Sequence, residues 1–428
     1  MSVPTLRKQL TVSIGKAGHL LGELSFVKDG AREYSSFAYD KAWLSDPARF
    51  EVSPDLPLRA GHVTRRAPSK DDSCFPFALA DSEPDAWGRR VIARAHAKAR
   101  KRNPYLSALN ALDYLRAVDD FSRIGALRLQ DDSGRFVATV EEGQRATPPL
   151  VELQRMFDAS RAVEGGTETA EDLRYLQGKG TSLGGMRPKC TVLDVDGSLA
   201  LGKFPSLMDA RSVTRAEVLA LRLALRAGID AAAARVVMVG DTPVAVIRRF
   251  DRTPEHARIP YLSAASMLQA GRHEERSYTE IADVIRAKCA NPSDDARQLW
   301  RRLVFNLLIT NVDDHLQNLG FLHQGQGHWR LAPQFDLNPF PDKDRESKTW
   351  LSENTGPITS LDMLMAQAAY FSLQPAAALK VLAEVYTAVC DWRTAALCAE
   401  VGLSPGELDD FAPAFEHAEM DAARDLLA

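Results

Sequence analysis

Between residues 293 and 309 the apolar side chains Leu299, Leu303, Val304, Leu307 and Leu308 recur at helical spacing. This predicts a helix with one apolar stripe, which needs a core to face. The pattern stops abruptly in the polar stretch Asn311-Val-Asp-Asp-His-Leu-Gln-Asn318. A stretch that polar does not follow the stripe into a core, so the helix is expected to hold a polar loop at the core's edge. Two short β-prone runs, 319–323 and 328–331, then predict a hairpin, and Pro333-Gln-Phe-Asp-Leu follows it with Asp336.

Upstream, 9–15 and 20–27 read as strands and 108–118 as a helix. The polar, proline-bearing stretch 145–149 reads as a boundary, and a helix near 149–160 follows it. Glycines and a Thr-Ser pair crowd 178–189. The run 190–195 then reads as a strand, Asp196-Gly197 as a two-residue turn and 198–204 as the returning strand, with Lys203 near its end. A helix over 213–227 is predicted from Val218, Leu221 and Leu225, with Gly228 as its stop. Strands at 235–239 and 242–250 flank Gly240-Asp241. Beyond 251 the chain is mainly helical. The expected class is α+β, with a mixed N-terminal subdomain (1–148), a β-rich lobe (149–250) and an α-helical lobe (251–428).

The 428 residues are 45% hydrophobic and 26% charged, with a net charge of −4. No apolar run approaches the roughly 20 residues that span a bilayer. The start lacks a signal-peptide pattern, so a cytoplasmic protein with no membrane association is expected. Five cysteines without a CxxC pair argue against a disulfide framework or a zinc site, and reduced, mostly buried thiols are expected. The acidic balance argues against a nucleic-acid coat. Arg89, Arg90, Arg94, Lys98, Arg100, Lys101 and Arg102 crowd one segment, which reads first as a solvated helix face and second as a patch for phosphates or an acidic partner.

Phosphoryl transfer from ATP needs its phosphates held, its charge neutralised and an acceptor hydroxyl relieved of its proton. Four residue groups fit these tasks in chain order. The glycines of 178–189 allow backbone to approach phosphate, although the stretch is neither a Walker A motif nor G-x-G-x-x-G. Lys203 at a strand end suits phosphate oxygens, with Glu217 or Asp209 as the carboxylate that steadies it. Asp313 with Asn318 five positions on has the spacing of a kinase catalytic loop, with Asp313 as base and Asn318 as metal ligand. His315 either orients that loop or packs, and Asp314 is the rival for the base. Asp336 suits a hard cation such as magnesium. No HExxH, G-x-S-x-G or Cys-His pattern offers another chemistry.

Together these stretches resemble a known family. SLGGMRPK, LGKFPS, VIRRFDR, NLLITNVDDHLQNLGF and LAPQFDLNPF are similar to the successive motifs of the HipA family, the kinase toxins of bacterial type II toxin–antitoxin modules. LLGELSF, FAYDKAWL and SEPDAWGRRVI resemble its N-terminal subdomain. The resemblance implies a protein-kinase-like bilobal fold and an ATP- and Mg-dependent serine/threonine protein kinase. It implies autophosphorylation at Ser182 and ATP contacts at Gly184, Gly185, Lys189 and Lys203. Arg248 and Phe250 would offer backbone to adenine, Arg248 standing where the family often has Glu. Asp313 would be the base, and Asn318 and Asp336 the magnesium ligands, in a loop reading VDDH where TDGH is familiar. It further implies a protein substrate such as an aminoacyl-tRNA synthetase, a small helix-turn-helix HipB-like antitoxin, and DNA met mainly through that antitoxin. The alternatives are a catalytically silent kinase-like component of a DNA-binding antitoxin complex and a small-molecule kinase.

Overall fold

The computed structural model describes residues 5–138, 147–177, 185–342 and 345–428. Residues 1–207 with 251–272 and 325–327 form one compact unit. Residues 208–250 with 273–324 and 328–428 form the other.

The first unit carries a five-stranded antiparallel sheet in the order Val63–Arg66, Arg32–Tyr39, His19–Asp29, Leu6–Ile14, Leu127–Gln130. Leu10, Val12 and Ile14 on one strand and Leu24 and Phe26 on its neighbour are buried at every second position. That alternation is what strand geometry imposes on a half-buried sheet. The helix Ala86–Arg102 begins where the Asp85 carboxylate accepts the Gly88 N–H at 2.7 Å. Much of the basic cluster on this helix has local partners. Arg89 pairs with Glu83 at 3.0 Å, Arg94 and Lys98 converge on Glu168, and Arg90 donates to the Val163 and Glu164 carbonyls. Arg100, Lys101 and Arg102 are exposed in its last turn, where cations suit the helix dipole.

The strands Lys189–Leu193 and Leu199–Lys203 pair antiparallel with Leu193 opposite Leu199. Their connection differs from the two-residue Asp196-Gly197 turn expected. The Asp194 N–H donates to Ser198 O at 2.8 Å and the Gly197 N–H to Asp194 O at 2.9 Å. Gly197 has φ +78°. The last pair is therefore 194 with 198, and the loop has three residues ending in a left-handed glycine, the next most common hairpin design.

In the second unit, Ala234–Val239 and Thr242–Arg248 do pair around the expected two-residue turn. The helix Val213–Arg226 packs on that hairpin. The predicted apolar helix is Pro292–Leu308, with proline at its start and Asp294 and Asp295 in the first turn. Leu299, Trp300, Leu303, Val304 and Leu308 are buried. The helix packs against Tyr278–Lys288 and Pro375–Cys390 and forms the spine of this unit. Cys74, Cys190 and Cys289 are buried, and all five cysteines are free. Among the described residues no helix is long and apolar enough to cross a membrane.

Candidate active site

The spine helix delivers its polar loop through a strained exit. Thr310 has φ +51°, an outlying conformation for a β-branched residue. Its hydroxyl donates to Ala414 O at 3.0 Å, and its carbonyl accepts the Phe340 N–H at 3.1 Å. Beneath the loop lies a ladder of amides. Asn311 Nδ2 donates to Asn306 Oδ1 at 3.2 Å, and Gln334 Nε2 donates to the same oxygen at 3.0 Å. Asn311 Oδ1 in turn accepts the Asn338 N–H at 3.2 Å. This ladder brings the segment of Asp336 beside the loop of Asp313.

The two adjacent aspartates part company. Asp314 is buried and accepts the Tyr278 hydroxyl and the Lys348 N–H, each at 2.6 Å, while its carbonyl accepts the Thr349 hydroxyl at 2.7 Å. Burial pushes its carboxyl up to about 6. Asp313 keeps its side chain about a third exposed, with Oδ1 paired to Lys348 Nζ. Asp314 thus fixes the loop and Asp313 faces outward from it.

Asn318 lies in the single 3₁₀ turn Leu316–Asn318. Its Nδ2 donates to Asp313 O at 2.8 Å, which ties the two ends of the loop together. Because the amide nitrogen is the donor, the side-chain oxygen is directed elsewhere. Asp336 stands at φ +55°, with Oδ1 accepting Asn338 Nδ2 at 3.2 Å. Aspartate tolerates this region better than most residues because its short side chain bonds locally. Asn318, Asp336, Asp314, His315, Asn306 and Gln334 line one cavity together with Tyr278 and Phe335. Non-glycine strain at both Thr310 and Asp336 is of the kind that collects at functional sites. His315 Nε2 is 3.9 Å from Asp313 Oδ1, too far for a hydrogen bond, and its Nδ1 is buried without a partner among the described residues. Burial, opposed by Asp313, lowers its basicity and favours the neutral ring.

The other expected residues are placed as follows. Lys203 ends the strand Leu199–Lys203, is buried, and stands opposite Lys189 in the hairpin register. Lys189 is also buried, and its ammonium bonds Asp85 at 2.9 Å. Gly185 has φ +101°, a conformation that favours glycine, and a Cβ there would lie 2.9 Å from the end of the Lys189 side chain. Ser182 and Gly184 lie outside the described residues. Glu217 is buried on its helix and Asp209 is half-buried. The Arg248 N–H donates to Ala233 O at 2.8 Å, and the Phe250 ring packs on Phe335 with centroids 5.4 Å apart.

Lys348 and Tyr278 escaped the sequence reading. Neither sits in a motif. The signal for Tyr278 is its place as the first residue of the helix that the Ser277–Glu280 capping box opens, whereas Lys348 has no local signal.

With this geometry in hand, the fold and its relatives can be stated. The chain has an α+β, protein-kinase-like fold. A solved Shewanella oneidensis structure of HipA with HipB and operator DNA matches it with TM-score 0.65 at 19% identity, covering 97% of this chain and 99% of that one. The HipA N-terminal domain model matches residues 12–114, and the HipA-like C-terminal domain model matches residues 181–392. The two cover most of the chain, and it belongs to the HipA family. A Sinorhizobium fredii relative named "Putative kinase Y4mE" is 26% identical over 413 residues, which are 90% of this chain and 85% of that protein. The Shewanella oneidensis "Serine/threonine-protein kinase toxin HipA" is 23% identical over 352 residues, 77% of this chain and 75% of that protein.

Proposed function

We propose that the chain is an ATP- and Mg-dependent serine/threonine protein kinase and the toxin of a HipA/HipB-like module. The observation that carries this reading is the single cavity lined by Asn318 and Asp336, with Asp313 on the same loop and held outward by buried Asp314. In this reading Asp313 takes the proton of the acceptor hydroxyl. Asn318, tethered to the Asp313 carbonyl, keeps base and metal ligand in register. The residues fit magnesium, which is held by one or two protein oxygen ligands plus substrate phosphates rather than by a full protein cage. Asp336 and the Asn318 side-chain oxygen would hold it, and its chemistry would be to neutralise charge on the phosphates.

Lys203, with Gly184 and Gly185, is assigned to the nucleotide phosphates, with Glu217 or Asp209 as the carboxylate expected to steady it. Lys189 would fix the end of that loop through Asp85, and the backbone around Arg248 and Phe250 would meet adenine. The division at residues 148 and 250 into subdomain, nucleotide lobe and catalytic lobe belongs to the same reading. The acceptor is a serine or threonine of a protein, an aminoacyl-tRNA synthetase being the class expected. The partner is a small helix-turn-helix antitoxin that carries the chain to operator DNA, as in the assembled relative. Ser182 is assigned as the self-modification site. Adding about two negative charges beside the phosphate loop there would repel ATP.

The test is incubation with γ-labelled ATP and Mg²⁺. The unaltered chain is expected to label itself, Ser182→Ala to remain active without self-inactivating, and Asp313→Asn to lose labelling by about a thousandfold or more. Equal labelling by Asp313→Asn would remove that residue from the chemistry.

A further inference from the structure

Lys348, which pairs with Asp313, lies outside every sequence stretch singled out above. It lies on the segment 347–350, which is fastened to the catalytic loop through main-chain and hydroxyl hydrogen bonds. The Lys348 N–H donates to the Asp314 carboxylate at 2.6 Å, and the Thr349 hydroxyl donates to the Asp314 carbonyl at 2.7 Å. The Ser347 hydroxyl donates to Thr349 O at 2.6 Å and accepts the Ile358 N–H at 2.7 Å, and the Trp350 N–H donates to Arg276 O at 3.0 Å. Asp314 is itself pinned by Tyr278. The position of residue 348 is therefore set several times over.

From that anchor the Lys348 ammonium reaches Asp313 Oδ1, with 56% of its side chain exposed and 33% of Asp313's. An exposed ion pair by itself stabilises a fold by little, about 0–1 kcal/mol. So much anchoring for so small a stabilising return points to a role outside folding. Both Lys348 and His315 approach Oδ1, and among the described residues no hydrogen bond reaches Asp313 Oδ2. One carboxylate oxygen is thus held while the other faces outward.

We propose that Lys348 is the residue that neutralises charge on the transferred phosphoryl group, and that it rests on the catalytic base until substrate arrives. This rests on the kinase reading above. When a hydroxyl reaches Asp313, a lone pair of its oxygen forms the new bond to the γ-phosphorus. The bond from that phosphorus to the β,γ-bridging oxygen breaks, and its electron pair leaves on ADP. The hydroxyl proton passes to Asp313 Oδ2. In-line attack places base, acceptor oxygen and phosphorus within a few ångströms of one another. An ammonium on the opposite oxygen of the base therefore lies within a short swing of the non-bridging phosphoryl oxygens. It keeps its protons and supplies charge that binds tighter as the transferring group loosens, the kind of interaction that raises rate rather than ground-state affinity.

The test uses the full chain, γ-labelled ATP and Mg²⁺, scoring phosphate transferred to the chain and released to water. Lys348→Met keeps the aliphatic stem and every main-chain bond of the anchor, so its melting temperature should match the parent. Its transfer rate at saturating ATP should fall by about a hundredfold, with KM for ATP changed by less than about threefold. Lys348→Arg, which restores the charge in another shape, should recover to within about tenfold of the parent. A Lys348→Met rate within twofold of the parent, or a raised KM at unchanged kcat, overturns the proposal. If Asp313→Asn is inactive in the same assay, that result leaves the kinase reading standing. Absence of transfer by the unaltered chain overturns both.

Discussion

Asp119 is buried and Asp81 half-buried in the unit that carries the five-stranded sheet, and near neighbours hold both carboxyl groups. Asp81 accepts both the Ser263 N–H and its hydroxyl at 2.7 Å, and Asp119 accepts the Ser122 N–H at 2.8 Å. Beside them Asp120 faces Arg128 at 2.6 Å and Arg258 at 3.4 Å. In the other unit Asp314 is treated the same way, but its neighbour Asp313 keeps one oxygen for solvent, and His315 Nδ1 and Gln334 Oε1 are buried with no hydrogen-bond partner among the described residues. Buried polar groups are normally satisfied, and exceptions call for an explanation. The first neighbourhood uses carboxylates to hold a fold. The second uses one to hold a fold and leaves its neighbour with an exposed oxygen, as the proposed base requires.

That contrast breaks most readily at the adjacent pair. Asp313→Asn should abolish transfer, by a factor on the order of a thousand, and leave the melting temperature unchanged. Asp314→Asn should lower the melting temperature, because its new amide turns a donor toward either the Tyr278 hydroxyl or the Lys348 N–H, a cost of about 1–3 kcal/mol. Two variants with equal melting temperatures and equal rates would erase the distinction. The structural class can be tested again at Lys189. Its replacement by Met strands buried Asp85 and should cost about 3 kcal/mol by chemical denaturation.

Asp81 offers a pH signature. Burial pushes its carboxyl up to about 6 from an ordinary 3.8. The folded state therefore holds the proton more tightly than the unfolded one, and this group's contribution is fullest below pH 4. It is lost as the pH rises through about 6. Asp81→Asn does not ionise, and its one carbonyl oxygen can still accept the Ser263 N–H while its amide faces the Ser263 hydroxyl, an offset that does not vary with pH. Its stability relative to the parent should improve by roughly 2–3 kcal/mol between pH 4 and pH 7. A difference independent of pH would show that Asp81 is not a buried acid. At the small end, Arg155 and Glu171 pair at 3.1 Å with both side chains more than half exposed. Arg155→Ala should change stability by less than about 1 kcal/mol.

Sequence made the spine helix and its loop legible because the two obey local rules. The apolar stripe has a period, and Asp313, Asn318 and Asp336 follow it at fixed spacings. It could not separate Asp313 from Asp314, because their difference comes from Tyr278 and Lys348, which arrive from distant segments. Lys348 itself was invisible, since its own tie is a main-chain N–H that almost any residue could donate, and the Ser347 and Thr349 hydroxyls beside it form no motif. The Asp196-Gly197 turn was misread because the pairing of Asp194 with Ser198 decides the loop length and dipeptide composition does not. Lys189 has the same sequence character as Lys203, and burial against Asp85 is a fact of packing.

Asp336 and Asn318 are proposed to hold the magnesium of a bound nucleotide. Calorimetric titration of the full chain with ATP, with and without Mg²⁺, asks this most directly. The account predicts binding that depends on Mg²⁺ in the parent and loses that dependence in Asp336→Asn. Binding that ignores Mg²⁺ in the parent, or stays Mg²⁺-dependent and equally tight in Asp336→Asn, would contradict it.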